Sequence, residues 1–405
     1  MAEELYEISK AAIDAARERL HAISGDIWNH PELNFHEHHA HAVLTKFLEE
    51  EGFDVERKFV YDTGFRASYG DGQPTVVLVA EFDALPEIGH ACGHNLIAQV
   101  ALGAAIGVKA AMENTPRGKI VVLGTPAEEG GGGKLGMIQQ GVFDDVTCAL
   151  MAHPAPDNKF DCDGDIFSAA TMVKVAFKGK SSHAAAAPYD GVNALDAAVM
   201  AYNSISCMRQ QLRPSYRVAA IITEGGLAVN IIPELSRMEV AIRAPSKQEV
   251  LLLLKPRINA CLEGAARATG CELQIEWLSF MLDNMISDPL LVDLYGRHAS
   301  SLGVEESQQT GSVFTASTDM GNVSQVVPSI HPIFSIGDSS CRNHTRGFAE
   351  LAGSDTAQPF TMDQSRILAN IAIDVLLHPE WIPVMKHNLK SRLESDAAKA
   401  AADAL

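Results

Sequence analysis

Side chains of the types that bind metal ions follow three predicted strands of this sequence. They are Cys92 and His94 after strand 75–80, Glu128 and Glu129 after strand 119–123, and His153 after strand 149–151. Because neighbouring parallel strands end at the same edge of a sheet, these side chains are expected to meet in one crevice. Zn²⁺ accepts thiolate, imidazole and carboxylate ligands. The spacing therefore predicts a metal centre at that edge.

The two adjacent glutamates, Glu128 and Glu129, suit a division of roles at such a centre. Neighbouring residues in one turn point to different sides, so one carboxylate can bind metal while the other serves as a general base toward a water molecule. A helix N-terminus stabilised by acidic side chains would explain the same pair without catalysis. Cys92 and His94 could alternatively form the nucleophile and base of a cysteine hydrolase, which metal chelation would not abolish.

Two further motifs have the wrong spacing for the sites that they resemble. In the run GGGGK, Lys134 is followed by Leu135 instead of the Ser or Thr of a phosphate-binding loop. The run HEHHAH at 36–41 has Ala40 where a zinc-binding HExxH motif needs histidine. We interpret the glycines as backbone freedom beside the site, and the histidines as the cap and cover of a helix.

Three polar residues in predicted loops are ambiguous from the pattern alone. His183 precedes a helix in the run GKSSH, Asn230 joins two predicted strands, and His344 lies in the run NHT beside a strand. Asn230 could bind a substrate carboxylate or amide, or could simply form a hairpin turn. The two histidines could be functional or plain loop structure.

The predicted elements that carry these residues alternate between strands and helices. This order favours a doubly wound α/β catalytic domain. From about residue 171 the order becomes βαββαβ over about a hundred residues, which predicts an inserted ferredoxin-like α+β module. We therefore expect the ranges 1–170 and 285–405 to form one domain and 171–284 to form a second.

Composition excludes several classes of partner. The 405 residues carry 32 basic and 51 acidic side chains, for a formal net charge of −19, which opposes binding to nucleic acid or an anionic membrane. We expect no membrane span, because no apolar run approaches the roughly 18 residues that one requires. An N-terminus without a signal-peptide pattern and an odd number of cysteines, seven, favour a cytoplasmic protein with reduced thiols.

Eight ordered blocks along nearly the whole chain resemble the di-zinc aminoacylase and carboxypeptidase family, and most of all its amidohydrolase branch. They are ALPEIGHACGHN, GTPAEE, MAHP, GKSSHAAAAP, GVNALDAA, NIIPE, STDMGNVS and NHT. The resemblance implies a zinc-peptidase-like catalytic domain, built from both ends of the chain, and an inserted lid through which two subunits usually form a homodimer. It also implies a metal-dependent hydrolase of amide bonds.

The same resemblance assigns roles by position. The ligands of two divalent ions, Zn²⁺ with Mn²⁺ as the alternative, would be Cys92, His94, Glu129, His153 and His344. Glu128 would be the general base, and Asn230 would help to hold the substrate. His183 would reach the oxyanion, typically from the lid of the partner subunit.

One departure from the branch pattern bears on the substrate. Many of its members have Asp-x-Asp before Ala-Leu-Pro, whereas this chain has Glu81 and Asp83, as does the group that cleaves β-alanyl-lysine. The resemblance thus implies dipeptides with an N-terminal β-alanyl or γ-aminobutyryl group and a C-terminal lysine or ornithine. The alternatives are an N-acyl amino acid or p-aminobenzoyl-glutamate amidohydrolase and, in another class, a non-catalytic metal-binding scaffold.

Overall fold

The computed structural model describes residues 2–115, 117–164, 166–307 and 316–404. They divide into two compact units. Unit 1 takes the described residues of the ranges 1–163, 285–313 and 318–392, and unit 2 takes those of 164–284, 314–317 and 393–405. Unit 1 is therefore built from sequence-distant segments, and most of unit 2 is one continuous insertion.

The strands, in chain order, are β1 (Asp54–Arg57), β2 (Phe65–Gly70), β3 (Thr75–Glu81), β4 (Lys119–Thr125), β5 (Cys148–Leu150), β6 (His153–Ala155), β7 (Ala169–Lys178), β8 (Arg217–Glu224), β9 (Leu235–Ala244), β10 (Glu272–Trp277), β11 (Ser329–Ile330) and β12 (Ile333–Ser335). The helices are α1 (Ala2–Ala15), α2 (Arg17–Asn29), α3 (His38–Glu50), α4 (His94–Asn114), α5 (Gly133–Gln139), α6 (Ala194–Arg209), α7 (Lys247–Glu249), α8 (Lys255–Thr269), α9 (Pro289–Ser301), α10 (Met320–Ser324), α11 (Arg346–Ala352), α12 (Gln358–Leu377) and α13 (Ile382–Ala404).

A six-stranded mixed sheet forms the centre of unit 1, in the order β1-β2-β4-β3-β5-β11. Strands β4, β3, β5 and β11 are parallel, and β2 runs antiparallel to β4. Every residue of β3 is buried, as expected for an apolar β-branched run that is covered on both faces. The parallel pairing brings the ends of β3 and β4 together, and both lead into the predicted metal-binding residues.

Helix α4 is the core helix of unit 1. By length and composition it could cross a membrane, with a mean hydropathy of 1.4 over 18 residues, which differs from the expectation of no such run. However, 89% of that window is buried inside the protein. Helices α1 and α12 pack against it, so its apolar surface is explained by the core.

Unit 2 contains a four-stranded antiparallel sheet in the order β10-β7-β9-β8. Along β7, Val173, Val175 and Phe177 are buried while the residues between them are more exposed, the period-two pattern of a sheet with one covered face. Helices α6 and α8 pack against each other, and both contact the sheet. The element order is β7, α6, β8, β9, α8, β10, which confirms the predicted ferredoxin-like order.

The α/β fold class predicted from the sequence is confirmed, but the sheet of unit 1 is mixed and not wholly parallel. Strands β1 and β2, which add an antiparallel edge, were not predicted from the sequence. The outer strand β1 is four residues long and has no buried residue, so it lacks the apolar run that marks an interior strand. Helices α10 and α11 were not predicted either, and they are only five and seven residues long.

Candidate metal centre

The turn between β3 and α4 positions Cys92 and His94. Gly93 lies between them with a φ of 81°, in the left-handed region that favours glycine. A Cβ atom at Gly93 would lie 2.5 Å from Cγ of Pro154, the residue that follows His153. The glycine therefore allows Cys92 and His94 to approach the segment that carries His153.

Asp83 orients two of the predicted ligands at once. Its Oδ1 lies 3.0 Å from Nδ1 of His94, and its Oδ2 accepts a hydrogen bond of 2.9 Å from the backbone N–H of Glu129. Both Asp83 and His94 are buried. Burial acts to lower the pKa of His94, but the Asp83 carboxylate raises it overall. With Nδ1 engaged, the Nε2 atom of His94 is the one available to a metal ion, an arrangement common in metal sites.

The structure brings five sequence-predicted side chains together in two overlapping groups. One group is Cys92, His94 and His153, and the other is Cys92, Glu129 and His344. Within each group, one ligand atom per residue lies within 4.8 Å of the others. Cys92 Sγ is 3.4 Å from His153 Nε2, and His344 Nε2 is 3.5 Å from Glu129 Oε1. Cys92 belongs to both groups, so its thiolate is placed to be shared between two ions.

The donor atoms fit metal ions by their chemistry as well as by distance. His94 Nε2 and Glu129 Oε1 are buried, and neither has a hydrogen-bond partner among the residues that the structure describes. Burial lowers the pKa of His153 to about 3, which keeps its imidazole in the neutral, metal-binding form. Burial also raises the pKa of the Cys92 thiol, opposite to the lowered pKa that activates a nucleophilic cysteine. These features favour metal binding over cysteine catalysis.

The two adjacent glutamates differ electrostatically. Burial, together with the carboxylates of Glu81 and Glu129, raises the pKa of Glu128 well above its ordinary value. Burial would raise the pKa of Glu129 too, but its contacts with His344 and His94 lower it overall. Two carboxylates whose pKa values are driven apart are suited to different roles, one as a proton carrier and the other as an anionic ligand.

A buried ion network beside these glutamates was not found from the sequence. Lys134 Nζ donates to Glu81 Oε1 at 2.5 Å and to Asp319 Oδ1 at 2.6 Å, and all three side chains are fully buried. Glu81 Oε2 lies 3.5 Å from His94 Nε2 and has no hydrogen-bond partner within the described part of the chain. The glycines before Lys134 were interpreted as backbone freedom beside the site. The structure adds a role for the Lys134 side chain, which pairs with these two buried carboxylates.

A second buried carboxylate holds the turn that carries Glu128 and Glu129. Glu37 Oε1 accepts hydrogen bonds from the backbone N–H of Phe35 at 2.9 Å and of Ala127 at 3.0 Å. Its Oε2 accepts a hydrogen bond of 2.8 Å from Thr63 Oγ1. Ala127 has a φ of 61°, a left-handed conformation that is strained for a residue other than glycine. Glu37 lies in the HEHHAH run, which was interpreted only as the cap and cover of a helix.

Two other histidines near the centre have different surroundings. His90, which follows β3 in the sequence, is buried and its Nε2 lies 3.1 Å from the carbonyl oxygen of Ile27. This contact assigns His90 a structural role. His331 is buried with its ring centroid 5.6 Å from that of His153, and no sequence motif had marked it as a candidate.

The remaining predicted residues, His183 and Asn230, lie in unit 2 and not in unit 1. They occupy neighbouring loops, where His183 pairs with Ile231 in a β-bridge and the Ala184 N–H donates to the Asn230 carbonyl oxygen at 3.0 Å. Asn230 and His183 are both exposed. Asn230 lies in the β8–β9 connection that the sequence predicted.

The chain is similar to proteins of known family over most of its length. Residues 71–350 match the model of peptidase family M20/M25/M40. A Xaa-Arg dipeptidase of Mus musculus is 42% identical, covering 95% of this chain and 92% of its own. One of the subunits of the p-aminobenzoyl-glutamate hydrolase of Escherichia coli is 35% identical, covering 66% of this chain and 59% of its own.

The fold is also found among solved structures. A dinuclear metal-binding peptidase of the M20 family from Bacillus subtilis superposes with a TM-score of 0.72, at 20% identity, over 90% of this chain and 99% of its own. The family resemblance inferred from the eight sequence blocks is confirmed, as is the prediction of an enzyme. The chain belongs to peptidase family M20/M25/M40 and is a metal-dependent hydrolase of that family.

Proposed function

We propose that this protein is a di-metal dipeptidase that cleaves the amide bond before a C-terminal basic residue. The observation that carries the proposal is the pair of ligand groups that share Cys92, with Glu128 beside them. The similarity to a Xaa-Arg dipeptidase supports a basic C-terminal residue, and we include lysine and ornithine with arginine. For the N-terminal residue we propose β-alanyl or γ-aminobutyryl, which rests on the sequence resemblance alone.

The proposed metal ligands are Cys92, His94, Glu129, His153 and His344, and Zn²⁺ is the ion that we propose for this set, with Mn²⁺ as the alternative. When bound, two such ions polarise the substrate carbonyl and lower the pKa of a water molecule. Asp83 holds His94 and the Glu129 backbone in position by its two oxygens. Lys134 compensates the buried charges of Glu81 and Asp319 beside them.

Glu128 is the proposed general base. Burial and the neighbouring carboxylates raise its pKa above that of an ordinary glutamate, which makes it a stronger proton acceptor, so it can accept a proton from water and later deliver it to the leaving amine. Its Oε2 lies 4.0 Å from His94 Nε2, and its side chain is 10% exposed, so it adjoins the ligand groups but retains some contact with solvent.

His183 is the proposed donor to the tetrahedral oxyanion. Its Nδ1 accepts hydrogen bonds from the backbone N–H groups of Ala185 at 3.2 Å and Ala186 at 3.1 Å. With Nδ1 accepting, the ring N–H group is at Nε2, and an N–H group of this kind stabilises a developing negative oxygen. Asn230 is proposed to hold the substrate from the neighbouring loop.

We propose a homodimer that forms through unit 2. Strand β8 is an edge of the four-stranded sheet, and it exposes Ile221 by 59% together with Ile222. Helix α6 exposes Val199 and Met200. An apolar edge strand offers unpaired backbone groups and apolar area to a second chain, which supports pairing of β8 with its copy.

The substrate proposal predicts a ranked activity panel for the Zn²⁺-loaded protein. Alanyl-arginine, β-alanyl-lysine and γ-aminobutyryl-ornithine are expected to be cleaved with a higher kcat/KM than p-aminobenzoyl-glutamate and N-acetyl amino acids, measured by release of the free amino acid. Preference for p-aminobenzoyl-glutamate, which the Escherichia coli relative hydrolyses by its name, would replace the dipeptidase proposal. Failure to cleave any amide would favour a non-catalytic metal-binding scaffold.

The role of Glu128 predicts a loss of turnover without a loss of metal. Glu128→Gln should lower kcat by about 10²- to 10⁴-fold, because the amide cannot carry the proton. Elemental analysis should find the metal content of the wild type. The matched control is Glu129→Gln, which is expected to lower the bound metal as well. Near wild-type turnover in Glu128→Gln would show that another group is the base.

The role of His183 across the dimer predicts complementation. His183→Ala and Glu128→Gln are each expected to be inactive, and a mixture that exchanges subunits should recover about a quarter of wild-type activity, because half of the dimers are heterodimers with one intact site. Native mass spectrometry would count the heterodimers. If heterodimers form but activity does not return, the partner subunit's His183 does not serve the site.

The hydrogen bonds of Glu37 predict a positioning effect on Glu128. Glu37→Ala leaves the Ala127 N–H and the Thr63 hydroxyl without their acceptor, so we expect about 1–3 kcal/mol lower stability. We also expect a roughly 10- to 100-fold lower kcat with a smaller change in KM. Glu37→Gln should restore most of both, since its amide can accept from Ala127 and donate to Thr63.

The control for Glu37 is Glu49→Ala, a change at a residue of the following helix whose exposed carboxylate pairs with Arg57. It should leave kcat unchanged. If Glu37→Ala were less stable but kept the wild-type kcat, Glu37 would be purely structural.

A further inference from the structure

A group of metal-binding side chains lies outside the proposed catalytic centre, where α2 ends and α3 begins. Asp26 is in the last turn of α2, and His30 is the residue that follows the helix. They are four residues apart, which places them one above the other on one side of the helix. His39 is the second residue of α3. It belongs to the HEHHAH run whose histidines the proposed function does not use.

The three side chains converge to the distances of a ligand cluster. His30 Nδ1 lies 2.8 Å from the carbonyl oxygen of Asp26 and 3.0 Å from its Oδ1, and His39 Nε2 lies 3.1 Å from Asp26 Oδ2. The two imidazole rings have centroids 4.2 Å apart. One ligand atom from each residue can be chosen so that all three lie within 4.8 Å of one another.

One donor atom in this cluster has no hydrogen bond to any described residue. His39 Nε2 is buried, and its contact with Asp26 does not have hydrogen-bond geometry. Two imidazoles around one carboxylate give a His₂Asp donor set, which suits a borderline divalent cation such as Zn²⁺. His30, Asp26 and His39 keep 55%, 39% and 38% of their side chains exposed, so a cation can enter and water can complete its coordination.

We propose that Asp26, His30 and His39 form a peripheral binding site for one divalent cation of the Zn²⁺ type. The cation would join the end of α2 to the start of α3. The segment between them includes Glu32, whose carboxylate accepts hydrogen bonds from the backbone N–H groups of His39 and Ala40, and Glu37, which holds Ala127. Occupancy of the site would therefore stabilise the segment that supports the turn of Glu128.

The test counts zinc in the full-length protein by equilibrium dialysis against Zn²⁺ and elemental analysis. Wild type is expected to bind one equivalent more than His39→Gln and than Asp26→Asn. Added Zn²⁺ should also raise the thermal unfolding temperature of the wild type more than that of either variant. His30→Gln should lack the same equivalent of zinc. Because His30 is the most exposed of the three residues, this substitution checks that the missing equivalent does not reflect misfolding.

The matched control is His36→Gln, since His36 lies in the same histidine run but outside the cluster. It should bind as much zinc as the wild type. Equal zinc content in wild type and all variants would overturn the proposal, and so would an equal loss in His36→Gln, which would indicate non-specific binding by surface histidines. Wild type and variants share the same proposed catalytic ligands, so the difference of one zinc equivalent between them does not depend on that assignment.

Discussion

The carboxylate of Asp83 is the constraint on which the arrangement of the metal centre depends. It joins a side chain on α4 to the backbone of the turn after β4, because one oxygen contacts His94 and the other accepts from Glu129 N–H. Candidate ligands from two separate segments are thereby held in one geometry. Such preorganisation matters because a ligand set that must first be ordered spends binding free energy on that ordering.

Buried charge is the second feature of this region, and it is compensated locally. Lys134, Glu81 and Asp319 are fully buried, and burial of any one alone would cost several kcal/mol. Lys134 neutralises one oxygen of each carboxylate, which leaves Glu81 Oε2 directed toward His94. The carboxylate of Glu37 is likewise satisfied locally, by hydrogen bonds from backbone N–H groups. Its bond with Ala127 helps to maintain the strained left-handed conformation of that residue.

Local signals account for the parts of the fold that the sequence predicted. The β-branched run at Thr75–Glu81 is the continuous apolar pattern of a fully buried strand, and β7 to β10 follow the βαββαβ order together with α6 and α8. Strand β1 has no such signal, since its four residues are all at least partly exposed. The roles of Glu37 and Lys134 were missed because Glu37 bonds to Ala127, 90 residues away, and Lys134 bonds to Asp319, 185 residues away, and no local pattern reports such a pairing.

By itself, the sequence determined the types of the candidate ligands, their positions after the ends of strands, the ferredoxin-like insertion and the family, since each is expressed in short ordered motifs. Only the tertiary structure decided that Cys92 is common to two ligand groups and that Glu128 and Glu129 have opposite pKa shifts. The tertiary structure also brings Asp26 together with His30 and His39. The physical reason is that distances, burial and electrostatic neighbours arise from packing between distant segments, which residue order along one segment does not specify.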